Sequence, residues 1–156
     1  MAAPLASINT TARMIIAALA TWLVPGAGHL LIGDRVRGIA FLVTITLTFW
    51  TGVAIGGVKN TVSPVDRTLW FAGQICAGGH SFAALAWAST IPSPYGTDTP
   101  AASVIGYGRA EEVSVVYTAI AGMLNILIIL DVLVRAEKPL VPVPAKPPGG
   151  RPPRRT

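Results

Sequence analysis

Charged side chains are absent from four long stretches of the chain: Met14 to Gly33, Gly38 to Val58, Thr68 to Thr97 and Val113 to Leu130. A helix rises about 1.5 Å per residue and a bilayer core is about 30 Å thick, so roughly 20 apolar residues cross it. A soluble helix would carry a charged stripe every three or four residues, because one face must meet water. None of the four stretches has one. The pattern therefore predicts spans over residues 14–33, 38–58, 69–90 and 113–134. The implied fold is an all-α integral membrane bundle of four transmembrane helices over residues 1–134, followed by a basic, proline-rich tail. The third span is the most dilute, since Gly73, Gln74, Gly78, Gly79, His80 and Ser81 interrupt it. A cleaved leader is disfavoured, because the apolar run after Arg13 continues past Pro25 to Ile32 and the remainder is itself apolar.

Composition agrees: 52% of the 156 residues are hydrophobic and 12% charged, half the charged share of about 25% in an ordinary soluble domain. Four spans leave both termini on one side. That side receives Arg13, Lys59, Arg67, Arg135, Lys138, Lys146, Arg151, Arg154 and Arg155, against Arg35, Arg37 and Arg109 on the other. The excess of positive charge predicts cytoplasmic N- and C-termini. Sending Asp34-Arg35-Val36-Arg37 outward fits that rule poorly. A re-entrant first segment, broken at Pro25-Gly26, would remove the conflict but would export the basic tail, so a kink at Pro25 is the expectation. Residues 91–112, rich in Pro, Gly, Ser and Thr, read as an external loop. In residues 135–156 seven prolines forbid helix, giving an extended, disordered tail. Its Arg135, Lys138, Lys146, Arg151, Arg154 and Arg155 suit an anionic lipid surface. No nucleic-acid partner is expected, since the tail lacks aromatic residues.

The densest local signal is Pro25, Gly26, Gly28, His29, Gly33 and Gly38, where glycines recur as one helix ends and the next begins. Proline removes a backbone donor and the glycines permit close backbone approach, which describes a kinked helix hairpin with a tight polar turn. Asn125, Asp131 and His80 are polar residues within predicted spans, and such residues need partners or remain costly. Asn125 reads as an interhelical hydrogen bond of about 0.6 kcal/mol. Asp131 reads as an ion pair with Arg135 one turn later. Cys76 and His80 share a face if their span is one helix, yet two histidines and one cysteine make a thin metal or haem set, so no metal or cofactor is expected. Gly52-x-x-x-Gly56 and Ala72-x-x-x-Cys76 are small-residue faces for contacts within the bundle. Trp70 and Trp87 read as anchors at the two ends of the third span.

The stretch from Pro25 to Gly38 resembles a P-G-x-G-H-x-x-x-G-x-x-x-x-G signature of small bacterial multi-pass proteins of unknown function, and distantly the two-transmembrane-helix domain. The A-G-x-x-N-x-x-x-x-x-D pattern ending at Asp131 resembles the same group. The resemblance implies a multi-pass protein of a bacterial plasma membrane and carries no mechanism. No nucleophile and base are placed together by the sequence. The functional expectation is thus a non-enzymatic accessory or scaffold subunit whose partners are the bilayer and a membrane protein or a second copy. The alternatives are a small transporter or channel component with a polar path through Asn125, Asp131 and His80, or a haem-bearing electron carrier.

Overall fold

The computed structural model describes residues 8–62, 68–91 and 109–138, and among these every regular element is a helix. In chain order they are α1 (Thr10–Leu23), α2 (Ala27–Leu31), α3 (Arg35–Gly56), α4 (Val58–Thr61), α5 (Thr68–Ile75), α6 (Gly79–Thr90) and α7 (Ala110–Glu137). Among the described residues, α3 and α7 are the helices long and apolar enough to cross a membrane.

Local chemistry sets the boundaries. Asn9 starts α1 by accepting the Ala12 N–H at 2.7 Å. Val24 ends it, because a following proline ring disfavours helical backbone in the residue before it. Gly26 then takes φ +82°, a conformation that a Cβ would strain. The device recurs after α5, where the turn Cys76–Gly78 ends with Gly78 at φ +57°. Asp34 caps α3, its carboxylate accepting the Arg37 N–H at 3.4 Å. Glu111 and Glu112 in the first turn of α7 and Arg135 in its last turn complement the helix dipole.

Contacts along α7 reveal the path of the chain. Arg13, in the first turn of α1, donates from Nε to the Ala136 carbonyl at 2.7 Å, near the C-terminal end of α7. Thr21, near the end of α1, offers its carbonyl to Asn125, midway along α7. The chain then turns back. His29 of α2 meets Asp131 at 2.9 Å, and Asp34 comes within 4.0 Å of Arg135. So α1 and α2 form a hairpin that reaches half the depth of α7 and returns to the end it left.

Next, α3 runs antiparallel along the whole of α7, bringing Gly52 and Gly56 against Ser114 at the other end. From that end α5 descends: Gln74 bonds Thr118 at 2.8 Å, and the Cys76 carbonyl accepts from Asn125 at 3.0 Å. α6 then retreats, with His80 bonded to Thr46 and Trp87 packed on Trp50 at a ring separation of 6.1 Å. The two half-depth hairpins therefore enter from opposite ends and touch at their tips, where Gly78 lies against the Trp22 carbonyl and Gly79 against that of Leu23. The order half-helix, break, half-helix, long helix occurs twice, as α1–α2–α3 and as α5–α6–α7, in opposite senses.

The buried side chains of α7 run along one side of it, as Ser114, Thr118, Ala121, Asn125, Ile128, Val132 and Ala136 at spacings of three or four residues, widened toward its N-terminal half by Val115, Ala119 and Gly122. Ile45, Phe49 and Val53 of α3 pack with Ala121 and Ile128, and Ala17 of α1 packs with Val132 and Ala136. Small side chains stand where backbones cross, and a Cβ on Gly122 would strike the Gly73 carbonyl.

Several expectations need correction. Residues 14–33 are not one kinked span, since Val24, Pro25 and Gly26 separate two helices that fold back on each other. Residues 69–90 are likewise two helices around the Cys76–Gly78 turn. Consequently Trp70 and Trp87 do not mark opposite ends of one span. Arg35 and Arg37 lie at the same end as Arg13 and Arg135, whereas Lys59 lies at the opposite end, with Ser114. The boundary at residue 134 is also early: α7 continues to Glu137, and the Lys138 carbonyl still accepts from Arg13 at 3.0 Å. The rest of the tail, including Lys146, Arg151, Arg154 and Arg155, and residues 92–108 of the external loop lie outside the described residues.

The tip contact predicts a ranking of glycine substitutions. Gly78→Ala adds both backbone strain and a collision with the Trp22 carbonyl, whereas Gly57→Ala, at φ +76° with nothing within 4 Å, adds strain alone. The expected loss is about 1–3 kcal/mol for Gly57→Ala and clearly more for Gly78→Ala. Thermal unfolding of the detergent-solubilised protein, followed by circular dichroism, measures both.

Candidate functional site

Polar chemistry gathers at two depths on α7. The first is the meeting point of the hairpins. A helix leaves its last four carbonyls without intrahelical donors, and here α1 and α5 both end inside the molecule. Asn125, fully buried, spends its carboxamide Nδ2 on the carbonyls of Thr21 at 3.3 Å, Trp22 at 3.5 Å and Cys76 at 3.0 Å. One side chain of α7 thus ties the C-terminal ends of two broken helices that arrive from opposite directions. Thr21 supports the first hairpin from within, accepting the Gly28 N–H on Oγ1 at 3.0 Å while donating to the Ala17 carbonyl at 2.8 Å. Gly28 has to be small, because a Cβ there would strike both Ala17 and Thr21.

A parallel arrangement supports the second hairpin. Gln74, buried on α5, donates from Nε2 to the Thr61 carbonyl at 2.7 Å and to Thr118 Oγ1 at 2.8 Å. Ser81 of α6 donates to the Gln74 carbonyl, and Thr61 donates to Ser114 Oγ at 3.1 Å. These bonds join α4, α5, α6 and α7 through side chains rather than through a continuous helix.

The second locus lies toward the C-terminal end of α7. His29, fully buried, donates from Nε2 to Asp131 Oδ2, and its ring packs edge-on against Phe41 at 5.0 Å. Arg135 Nε donates to the same oxygen at 2.8 Å, and Arg37 pairs with Asp34 at 3.2 Å. Two carboxylates and their cations form a partly exposed ring around the mouth of the first hairpin. Beside it, Arg13 is buried, has no carboxylate partner among the described residues, and caps α7 through the carbonyls of Ala136 and Lys138. A cation at a helix C-terminus satisfies orphan carbonyls and complements the dipole.

The two sequence signatures thus pack on each other. Pro25 is buried at the tip, Gly26 lies against the Gly38 carbonyl, Gly28 against α1, and His29 on Asp131. Gly33, at φ +96°, makes the turn into the Asp34 cap. The expected Asp131–Arg135 pair is present, and Asn125 makes its interhelical bonds to backbone. Asn125, Asp131 and His80 belong to three separate sets of partners, His80 being bonded to Thr46 on the far side of the hairpin tips. Cys76 and His80 are divided by the turn, with Cys76 Sγ donating to the Ala72 carbonyl. Among the described residues no group of three or more His, Cys, Asp or Glu is close enough to hold a metal ion. Sequence reasoning missed Gln74, Thr21 and the capping role of Arg13. Gln74 stood in plain view as a lone amide in an apolar run, whereas Thr21 and Arg13 gave no signal before their partners were known.

The model of a family of unknown function, DUF6677, matches residues 16–141, and the chain belongs to that family. The match takes in α1 from Ile16 onward and all of α2 to α7. No curated protein and no solved structure matches the chain.

The latch predicts a graded response at position 125. Asn125→Leu fills the space but leaves three carbonyls without their donor, an expected cost of about 1–3 kcal/mol. Asn125→Asp costs more, since a carboxylate would face carbonyl oxygens. Denaturant unfolding in mild detergent orders the wild type and the two variants.

Proposed function

We propose that this DUF6677 protein is an integral membrane protein that crosses the bilayer twice, on α3 and α7, and serves as a non-enzymatic accessory subunit for other membrane components. In this reading α1–α2 and α5–α6 are re-entrant hairpins that enter from opposite faces and meet near the bilayer midplane. The single observation that carries it is the Asn125 latch, halfway along α7, holding the ends of both hairpins. Irregular backbone at membrane depth is tolerated where protein covers it, and the carboxamide supplies that cover.

Burial supports the bilayer setting. Only 28% of the apolar window of α3 and 44% of that of α7 is buried, unlike the core helices of a soluble protein. Leu19, Leu47, Leu127 and Val134 are more than half exposed, an apolar exterior suited to lipid. Charge supports the orientation. Arg13, Arg35, Arg37, Arg135 and Lys138 lie at one end, and Lys59 and Arg109 at the other, so the end bearing the tail faces the cytoplasm. The awkward outward excursion of Arg35 and Arg37 disappears once the first hairpin is re-entrant. The accessory role rests on how the interior is used. Its amide N–H groups and hydroxyls are spent on backbone carbonyls and on one another, while Asn125 Oδ1, Gln74 Oε1 and His29 Nδ1 are buried without a partner among the described residues, and the outer helix faces and the cytoplasmic end are left for contacts.

Cysteine labelling tests the topology. In a Cys76→Ser background, Val36→Cys and Lys138→Cys react with a membrane-impermeant maleimide from the same side, and Lys59→Cys from the other. Labelling of Val36→Cys from the side opposite Lys138→Cys would restore four spans and sink the re-entrant reading. For the role, affinity purification in mild detergent should return a stoichiometric membrane partner, and recovery of the bare chain from every native preparation counts against it.

A further inference from the structure

Among the described residues, a concavity on the outer surface next to the ionic ring is not explained by the latch or by the ring itself. Between α3 and α7 lies a groove of about 350 Å³, walled by Ala40, Phe41, Ile45, Leu124 and Ile128 and closed at one end by Asp131. Thr44 and Leu127 on its walls are exposed, Leu127 to 60%. From Leu124 to Asp131 it follows α7 for about 10 Å, from the midpoint marked by Asn125 to the level of the ionic ring.

We propose that this groove seats one acyl chain of an anionic phospholipid from the cytoplasmic leaflet, with its phosphate held at the ionic ring. The proposal rests on the membrane reading above. Shape and polarity argue for a chain, since the walls are hydrocarbon and the open side faces lipid. Charge argues for the head group. Asp131 does not repel an anion here, because His29 and Arg135 already bind its Oδ2. Among the described residues this end of the molecule carries Arg13, Arg35, Arg37, Arg135 and Lys138 against Asp34, Asp131 and Glu137, a formal excess of two positive charges. A guanidinium has five N–H donors, and those of Arg37 and Arg135 are only partly engaged by their carboxylates. Both side chains remain reachable, at 47% and 34% exposure. Planar donors of this kind match phosphate oxygens, and basic pockets between transmembrane helices on the cytoplasmic side bind acidic head groups. A quaternary ammonium head would instead meet the cationic excess.

Reconstitution into vesicles of equal phosphatidylglycerol and phosphatidylcholine, extraction in mild detergent and native mass spectrometry provide the test. The wild type is expected to keep one phosphatidylglycerol. Ala40→Trp or Thr44→Phe, which fill the groove from its exposed wall, should abolish retention, while Val43→Trp, just outside it, should not. Arg37→Gln should weaken retention about fivefold, the effect of one cation near an anionic lipid. Equal retention of both lipids, unchanged retention in both groove-filling variants, or a second copy of the chain in place of lipid would overturn the proposal while the protein still enters the bilayer. Failure of the membrane reading looks different: the wild type would stay in the aqueous phase and never enter the vesicles.

Discussion

A helix that stops inside a protein must find donors for its last carbonyls, and this molecule has two such stops at the same depth. Asn125 answers for both. Its Nδ2 reaches carbonyls from α1 and from the turn after α5, so the hydrogen bonding of both hairpin tips is completed by α7. The glycines at the contact, Gly78 and Gly79, bring the tips close enough for one carboxamide to serve both. In water such carbonyls would be solvated. In a bilayer interior the alternative costs several kcal/mol per group.

Around that point the architecture repeats with its direction reversed. Each half supplies a hairpin of half depth and one long helix, and the two long helices lie antiparallel as the central pair. Inverted repeats with broken helices meeting at the midplane recur among membrane proteins because each half can enter from its own side. The halves differ where they meet the ends. The first hairpin is anchored by charge, through Arg13, His29, Asp34 and Asp131, and the second by uncharged groups, through Thr61, Gln74, Ser114 and Thr118. This asymmetry matches the proposed orientation, with the ionic anchor at the cytoplasmic surface and head groups within reach of its arginines.

The ionic end also shows how one feature serves two purposes. Asp131 holds His29 and Arg135 together and also closes the groove between α3 and α7. Under the lipid proposal, the Arg135 ion pair offsets the charge of that carboxylate at the end where a phosphate would sit. Arg13, pointed inward at the end of α7, contributes positive charge there without exposing its side chain.

How much of this was legible in the sequence follows from the range of each interaction. Helical class, the apolar stretches, the long helices near residues 38–58 and 113–134, and the Asp131–Arg135 pair depend on neighbours within one or two turns, and all could be read from spacing. The Pro25-Gly26 break was visible too, but whether a break kinks a helix or reverses it depends on what receives the freed carbonyls. That receiver, Asn125, lies about a hundred residues away, and the second reversal at Gly78 depends on the same side chain. The number of unbroken long helices and the end at which Arg35 and Arg37 reside were therefore decided by tertiary contacts. An apolar run of fixed length meets the same hydropathy criterion whether it crosses once or goes halfway and returns, and only the long-range hydrogen bonds at its turning point distinguish the two.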